Sequence, residues 1–253
     1  LDMGDQFGQN SGFTATYTFE TAGNFVPDAL KAVVEWPHLY SVEVNGNAIQ
    51  PVKDEWWLDR SFGVFEIGEY LQHGRNELTL NIQPMHILAE IEPVYLVGDF
   101  GLTSQEHGFR IGPPQEMDIG PWKDQNAPHY SQAVAYTKTF EAEADQAYKV
   151  KLNEWNGTMV RVKVNGEQEG IIGWPPYELD ITQWIEEGEN EVTIEVVGSL
   201  KNLLGPHHGD ITEGLVSPWS FFYAPEHQPA GSSYDLHDYG LFEDFEVVRF
   251  QGE

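Results

Sequence analysis

Val162-Lys163-Val164-Asn165-Gly166, continued by Leu179-Asp180-Ile181-Thr182 and Gly188-Glu189-Asn190-Glu191-Val192-Thr193-Ile194, has an earlier counterpart in the same chain. Val42-Glu43-Val44-Asn45-Gly46 leads to Phe65-Glu66-Ile67 and then to Gly74-Arg75-Asn76-Glu77-Leu78-Thr79-Leu80. Both copies run strand, Asn-Gly turn, apolar/acidic alternation, Gly-x-Asn-Glu turn, second strand. Asn-Gly between alternating apolar residues is a strong hairpin signal, because both central residues of a type I′ turn need positive φ. The copies lie roughly 115–120 residues apart, a domain-sized spacing rather than that of a solenoid. The chain therefore reads as two versions of one β-rich unit.

The flanking sequence supports this. Phe13 to Glu20 alternates, with Phe13, Ala15, Tyr17 and Phe19 on one face and Thr14, Thr16 and Thr18 on the other, as in a half-buried strand. Ala133 to Phe140 is its counterpart in the second unit, and Tyr148 to Leu152 and Met159 to Val164 follow as strands. Pro51 to Phe62 reads as a long connection. Thr103 to Gln132, with Pro113-Pro114, Gly120-Pro121 and Pro128, reads as the link between units. Many short strands with little helix predict an all-β fold of two tandem jelly-roll-like antiparallel β-sandwiches. The expected domains are residues 1–105 and 106–253, the second including an entry segment, 106–132.

Composition narrows the partners. Across 253 residues, 41 acidic side chains face 13 basic ones, for a formal net charge of -28. Such a surface repels phosphates and anionic headgroups, which argues against nucleic acid and membrane partners and leaves neutral ligands and cations. There is no cysteine, so disulfide and thiol chemistry are excluded. No apolar run approaches the ~20 residues of a membrane span. The chain opens on Leu1 rather than methionine, as a mature chain or a piece of a larger one would.

Gly120-Pro121-Trp122, Pro128-His129-Tyr130-Ser131 and Tyr136-Thr137-Lys138-Thr139-Phe140 resemble the opening of the glycoside hydrolase family 2 sugar-binding domain. The Asn165-Gly166, Leu179-Asp180-Ile181-Thr182 and Gly188-Glu189-Asn190-Glu191-Val192 stretches match its later strands. Leu200 to His208 and Val94 to Phe100 are similar to segments in C-terminal sandwiches of large glycoside hydrolases of the family 106 rhamnosidase group. The resemblance spans nearly the whole chain, more strongly from Trp122 onward. It implies a galactose-binding-like jelly-roll accessory domain rather than a catalytic one. Catalysis in those enzymes sits on a barrel of about 250 residues with alternating strands and helices, for which this chain has no room.

A sugar ring lays its C–H face on an indole or phenol, and its hydroxyls then need carboxylates, amides or guanidinium groups alongside. Trp56 and Trp57 with Asp54, Glu55, Asp59 and Arg60 supply that mixture on one loop, and Trp174, Tyr177 and Glu178 on another. The other tryptophans, Trp36, Trp122, Trp155, Trp184 and Trp219, compete as candidates, and any of these rings can instead fill a core. Trp184 aligns with Tyr70 in the repeat and reads as core. Adjacent Trp56 and Trp57 on one strand point to opposite faces, which exposes at least one. His207 and His208, in a loop with no counterpart in the first unit, are candidate sugar contacts. A metal there would need three or four convergent ligands. His129, His227 and His237 look scattered. Glu243, Asp244 and Glu246 could hold a structural calcium, or form a solvated acidic face. A glycosidase pair needs two carboxylates about 5–10 Å apart, and sequence cannot select one among so many.

The expected function is non-catalytic carbohydrate binding, with an oligo- or polysaccharide as partner, in an extracellular or periplasmic bacterial polysaccharide-degrading system. A catalytic domain elsewhere in the parent chain would be the second partner. The alternatives are the C-terminal accessory part of a large glycoside hydrolase and a ligand-free structural spacer.

Overall fold

A computed structural model describes residues 7–205, 207 and 228–251. It falls into two compact units, Leu1–Pro114 with His227–Ser232, and Gln115–Glu226 with Ser233–Glu253.

The first unit contains ten strands: β1 (Phe13–Thr21), β2 (Lys31–Glu35), β3 (Ser41–Val44), β4 (Asn47–Ile49), β5 (Trp56–Trp57), β6 (Asp59–Glu66), β7 (Arg75–Ile82), β8 (Tyr95–Val97), β9 (Gly101–Ser104) and β10 (Phe109–Gly112). They form two sheets, ordered β4-β3-β7-β1-β10-β9 and β5-β6-β2-β8. All pairings are antiparallel except a short parallel one between β1 and β10. Alternation puts Val42, Val44, Leu78 and Leu80 of one sheet, and Ala32, Val34 and Phe65 of the other, into a single buried cluster, which is what makes the unit a sandwich. The connection expected over Pro51 to Phe62 instead carries β5 and the start of β6. The link expected from Thr103 carries β10, which extends the first sheet beyond β1. Prolines at 113 and 114 mark the end of that strand, not of the strand before it.

The second unit contains β11 (Ala133–Ala142), β12 (Ala147–Lys151), β13 (Trp155–Asn156), β14 (Met159–Val164), β15 (Glu167–Ile172), β16 (Glu178–Asp180), β17 (Gly188–Val197), one helical turn α1 (Lys201–Leu204), β18 (Gly240–Leu241) and β19 (Glu246–Phe250). The sheets are β11-β17-β14-β15, β16-β12-β19 and the pair β13-β18. Val160, Val162, Val192, Ile194 and Val196 from the first meet Tyr148 and Val150 from the second around Trp122, Leu241 and Phe245. Each such aliphatic side chain contributes about 1.5–3 kcal/mol on burial. The outer faces carry hydroxyl pairs at matching places, Thr16 with Thr79 at 3.3 Å and Thr137 with Thr193 at 2.8 Å.

The repeat has a physical basis. Asn45 and Gly46 have φ of 50° and 78°, and Asn165 and Gly166 of 50° and 89°, so both turns take the left-handed conformations that Asn-Gly favours. The Asn45 Nδ2 then donates to Asn76 Oδ1 at 2.8 Å, and Asn165 Nδ2 to Asn190 Oδ1 at 3.0 Å. Asn76 and Asn190 are fully buried, and each donates to two carbonyls of the preceding turn, those of Gln72 and Gly74 and of Glu186 and Gly188. The backbone N–H groups of Gln72 and Glu186 donate back to them at 2.8 and 2.9 Å. The Gly-x-Asn-Glu signature is thus a polar clasp that ties the hairpin turn to the start of the central strand.

Candidate functional site

Trp56 and Trp57 differ in their surroundings, and the β5–β6 register shifts between them. Trp57 packs on Tyr95, with ring centroids 5.5 Å apart. Trp56 stays 52% exposed and stands opposite Gly63 in the β5–β6 pair. Gly63 is needed there, because a Cβ would lie 2.4 Å from the Pro37 ring that packs on it. Around the Trp56 indole an open groove of about 630 Å³ is bordered by Pro37, Pro51, Lys53, Asp54, Glu55 and Arg60. Glu55 also accepts an ion pair from Lys31 at 2.5 Å, which orients its carboxylate. Asp59, at the start of β6, is engaged by Ser61, accepting from its N–H at 2.8 Å and hydroxyl at 2.7 Å. Those bonds hold its carboxyl below the usual carboxylate range. Trp56, Arg60, Asp54 and Glu55 thus line one groove, and Trp57 and Asp59 do not.

In the second unit Trp174 is 76% exposed, the most exposed of the large apolar side chains described. Tyr177 is turned toward Trp155, edge-on at 5.3 Å, and its carbonyl accepts the Leu152 N–H at 2.9 Å. Glu178 pairs with Lys149 at 2.5 Å on the neighbouring strand, so it is a cross-strand ion pair. Trp184 packs against the core, as its alignment with Tyr70 predicts. Trp122 is buried outright, with its indole N–H donating to the Tyr136 hydroxyl at 3.0 Å, and it presents no surface to a ligand.

His129 and His207 come together. His129 Nδ1 and His207 Nε2 both bond the Asn202 carbonyl, at 2.6 and 2.8 Å. The two rings lie 5.2 Å apart, and Tyr234 packs on both. Asn202 in turn bridges the His237 backbone through both side-chain atoms. One nitrogen of His207 is thus used on α1, whose Asn202 side chain makes the link to His237. His208, His227 and Trp219 lie outside the described residues. Desolvation holds the His129 imidazole below its ordinary value, with the His207 charge acting the same way against the bond to Asn202. A base whose folded pKa is depressed contributes stability that is lost as pH falls through the unfolded value, about 6.5. Urea midpoints of wild type should therefore drop below about pH 6.5, and less steeply in His129→Asn; an unchanged slope in the variant would exclude His129 as the source.

Of the calcium candidates, Asp244 pairs with Lys138 at 2.7 Å and Glu246 accepts from Asn153 at 2.9 Å. The Glu243 main-chain N–H bonds the Glu154 carbonyl at 3.0 Å. These three do not converge, and among the described residues no group of three acidic or histidine side chains is placed to hold a metal ion. Lys138 neutralises the acidic turn instead.

Sequence reading missed a second concavity in the first unit, a cavity of about 160 Å³ walled by Trp36, Tyr40, Leu80 and Leu88 and edged by Glu35, Glu90 and Glu92. Tyr17 and Tyr40 hydroxyls donate to the Glu92 and Glu90 carbonyls at 2.6 and 3.1 Å, which fixes that segment. Burial raises the Glu92 carboxyl above its ordinary value, helped by a bond to Glu90 and by the charges of Glu90 and Glu35. Glu90-Ile91-Glu92-Pro93 was the available signal, but Glu35 comes from β2, far away in sequence.

No helix among the described residues is long and apolar enough to cross a membrane. No family model matches the chain, and no curated protein matches it. Among solved structures it is similar to a rhamnosidase from Novosphingobium sp. PP1Y, at 14% identity and TM-score 0.38, over 99% of this chain and 24% of that one. It is also similar to a Streptomyces avermitilis alpha-L-rhamnosidase complexed with L-rhamnose, at 12% identity and TM-score 0.31, over 76% of this chain and 22% of that one. A glycosyl hydrolase family 2 member from Bacteroides cellulosilyticus DSM 14838 is matched at 7% identity and TM-score 0.25, over 73% of this chain and 23% of that one. The chain spans about a quarter of the length of these proteins.

Proposed function

We propose that the chain is a non-catalytic carbohydrate-binding accessory part of a secreted bacterial glycoside-degrading protein, acting beside a catalytic domain in the same parent chain. The observation that carries this reading is the Trp56 groove. A half-exposed indole, held in place across from Gly63 and Pro37, sits beside Arg60, Asp54 and Glu55 in an open channel. The ring takes the C–H face of a sugar, and the charged groups beside it hydrogen-bond hydroxyls. The acidic surface favours uncharged glycans over uronate- or sulfate-bearing ones. Trp174, the most exposed ring among the described residues of the second unit, is the natural second platform. The sequence resemblance to glycoside hydrolase sugar-binding domains supports the same class.

Affinity electrophoresis through neutral polysaccharides tests this. Covering one indole face removes on the order of 60–80 Å² of apolar surface from water, worth about 1.5–2 kcal/mol, or roughly tenfold in affinity. Wild type should be retarded by at least one neutral polysaccharide, and Trp56→Ala should lose about tenfold of that affinity. Retardation equal in wild type and Trp56→Ala would move the site away from this groove. Hydrolysis of an aryl glycoside by the chain, abolished by one carboxylate substitution, would overturn the non-catalytic reading.

A further inference from the structure

We propose that the cavity between Trp36, Tyr40 and the Glu90–Glu92 segment is a separate site for a protonated amine carried on a small body, an amino-sugar unit of a glycan. The sugar body rests on the carbohydrate reading above; the charge does not.

Three carboxylates, those of Glu35, Glu90 and Glu92, edge this one cavity. Elsewhere in the unit Glu55 pairs with Lys31, Glu77 with Arg75 and Glu20 with Arg110. Among the described residues none of the three cavity carboxylates has such an ion pair. Glu90 and Glu92 are exposed and Glu35 is half-buried, and their like charges repel across a cavity otherwise walled by Leu80 and Leu88. A positive charge seated among them removes that repulsion.

The rings complete the match. An ammonium group is attracted to an indole or phenol face as well as to carboxylates, and cages combining the two select cations. Trp36 sits at the rim in a left-handed conformation, φ 47° and ψ 52°, uncommon for a bulky residue, and His38 braces its ring edge-on at 5.9 Å. Tyr40 is anchored through its hydroxyl to both the carbonyl and the N–H of Glu90, at 3.1 and 3.3 Å. Rings and carboxylates are therefore held together before any ligand arrives. A cavity of about 160 Å³ accepts a benzene-sized body but not a branched oligosaccharide, so it takes one residue or chain end.

Isothermal titration of the whole chain at low salt and about pH 6 decides the matter. The probes are a glucosamine trimer with free amines and its fully N-acetylated counterpart. The amine form should bind at least tenfold more tightly than the acetylated form. Glu35→Gln/Glu92→Gln should cost the amine form tenfold or more, while melting no lower than wild type, since a glutamine at 92 can keep the bond to Glu90 while the repulsion is removed. Trp56→Ala should leave amine binding unchanged. The proposal is overturned by equal binding of the two trimers, by wild-type affinity in the double variant, or by loss of amine binding in Trp56→Ala. Amine binding that survives when no neutral glycan binds the Trp56 groove would retire the function proposed above and keep this site.

Discussion

Asn190→Ala is expected to lower the stability of the second unit by about 3–5 kcal/mol, although it removes only a small side chain. Asn190 is enclosed, and its amide group serves four partners: the Glu186 and Gly188 carbonyls, the Glu186 N–H and Asn165 Nδ2. Water cannot replace a buried partner without opening the turn, and each orphaned group costs roughly 1–3 kcal/mol. Asn190→Asp should be no milder, because it keeps the acceptor but loses both donations and buries a charge. Asn76→Ala in the first unit should behave alike, since the same bonds recur there. On the exposed face, Glu189→Ala should stay within about 0.5 kcal/mol. Hydrogen exchange resolved over β14 and β17 reads the effect: protection should fall in Asn190→Ala and persist in Glu189→Ala. Unchanged protection in Asn190→Ala would mean the clasp is incidental to the fold.

Trp122→Ala and Trp174→Ala should separate two tryptophans that composition cannot tell apart. Trp122 is 1% exposed, edge-on to Tyr130 at 5.8 Å, with its N–H on Tyr136. Gly198 and Gly240 make room for it, as a Cβ on either would approach the indole to 2.9 and 3.2 Å. Truncation leaves a cavity and removes one donor from the Tyr136 hydroxyl, which keeps its bond to the Leu241 backbone, for about 3–5 kcal/mol. Trp122→Phe should cost less, keeping most of the volume while losing the hydrogen bond. Trp174→Ala, at a site three-quarters exposed, should shift the urea midpoint by the equivalent of no more than about 0.5 kcal/mol, its effect falling on glycan binding instead. A stability loss of similar size in both variants would remove the distinction between core and platform.

Much of the fold was legible because its signals are local. Residue alternation predicts β3 and β14 at their observed limits, and the Asn-Gly turns adopt the predicted conformations. β5, β10 and β15 were missed where prolines, glycines or charged residues mask the alternation and partner strands supply the pairing. At Trp56 the mixture of ring, guanidinium and carboxylate was legible, since it lies within a few consecutive residues.

The amino-acid sequence by itself determined that this is a repeated, acidic, all-β chain, because periodicity, turn chemistry and charge need no knowledge of what packs where. Only the tertiary structure decided which aromatic rings are surface and which are core, because burial depends on the strand across the sandwich. It alone turned Asp244 and Glu178 into ion pairs, gathered His129 and His207 onto one carbonyl, and set Glu35 beside Glu90 and Glu92. Those groupings join residues distant along the chain, and a partner that arrives through folding leaves no local pattern to read.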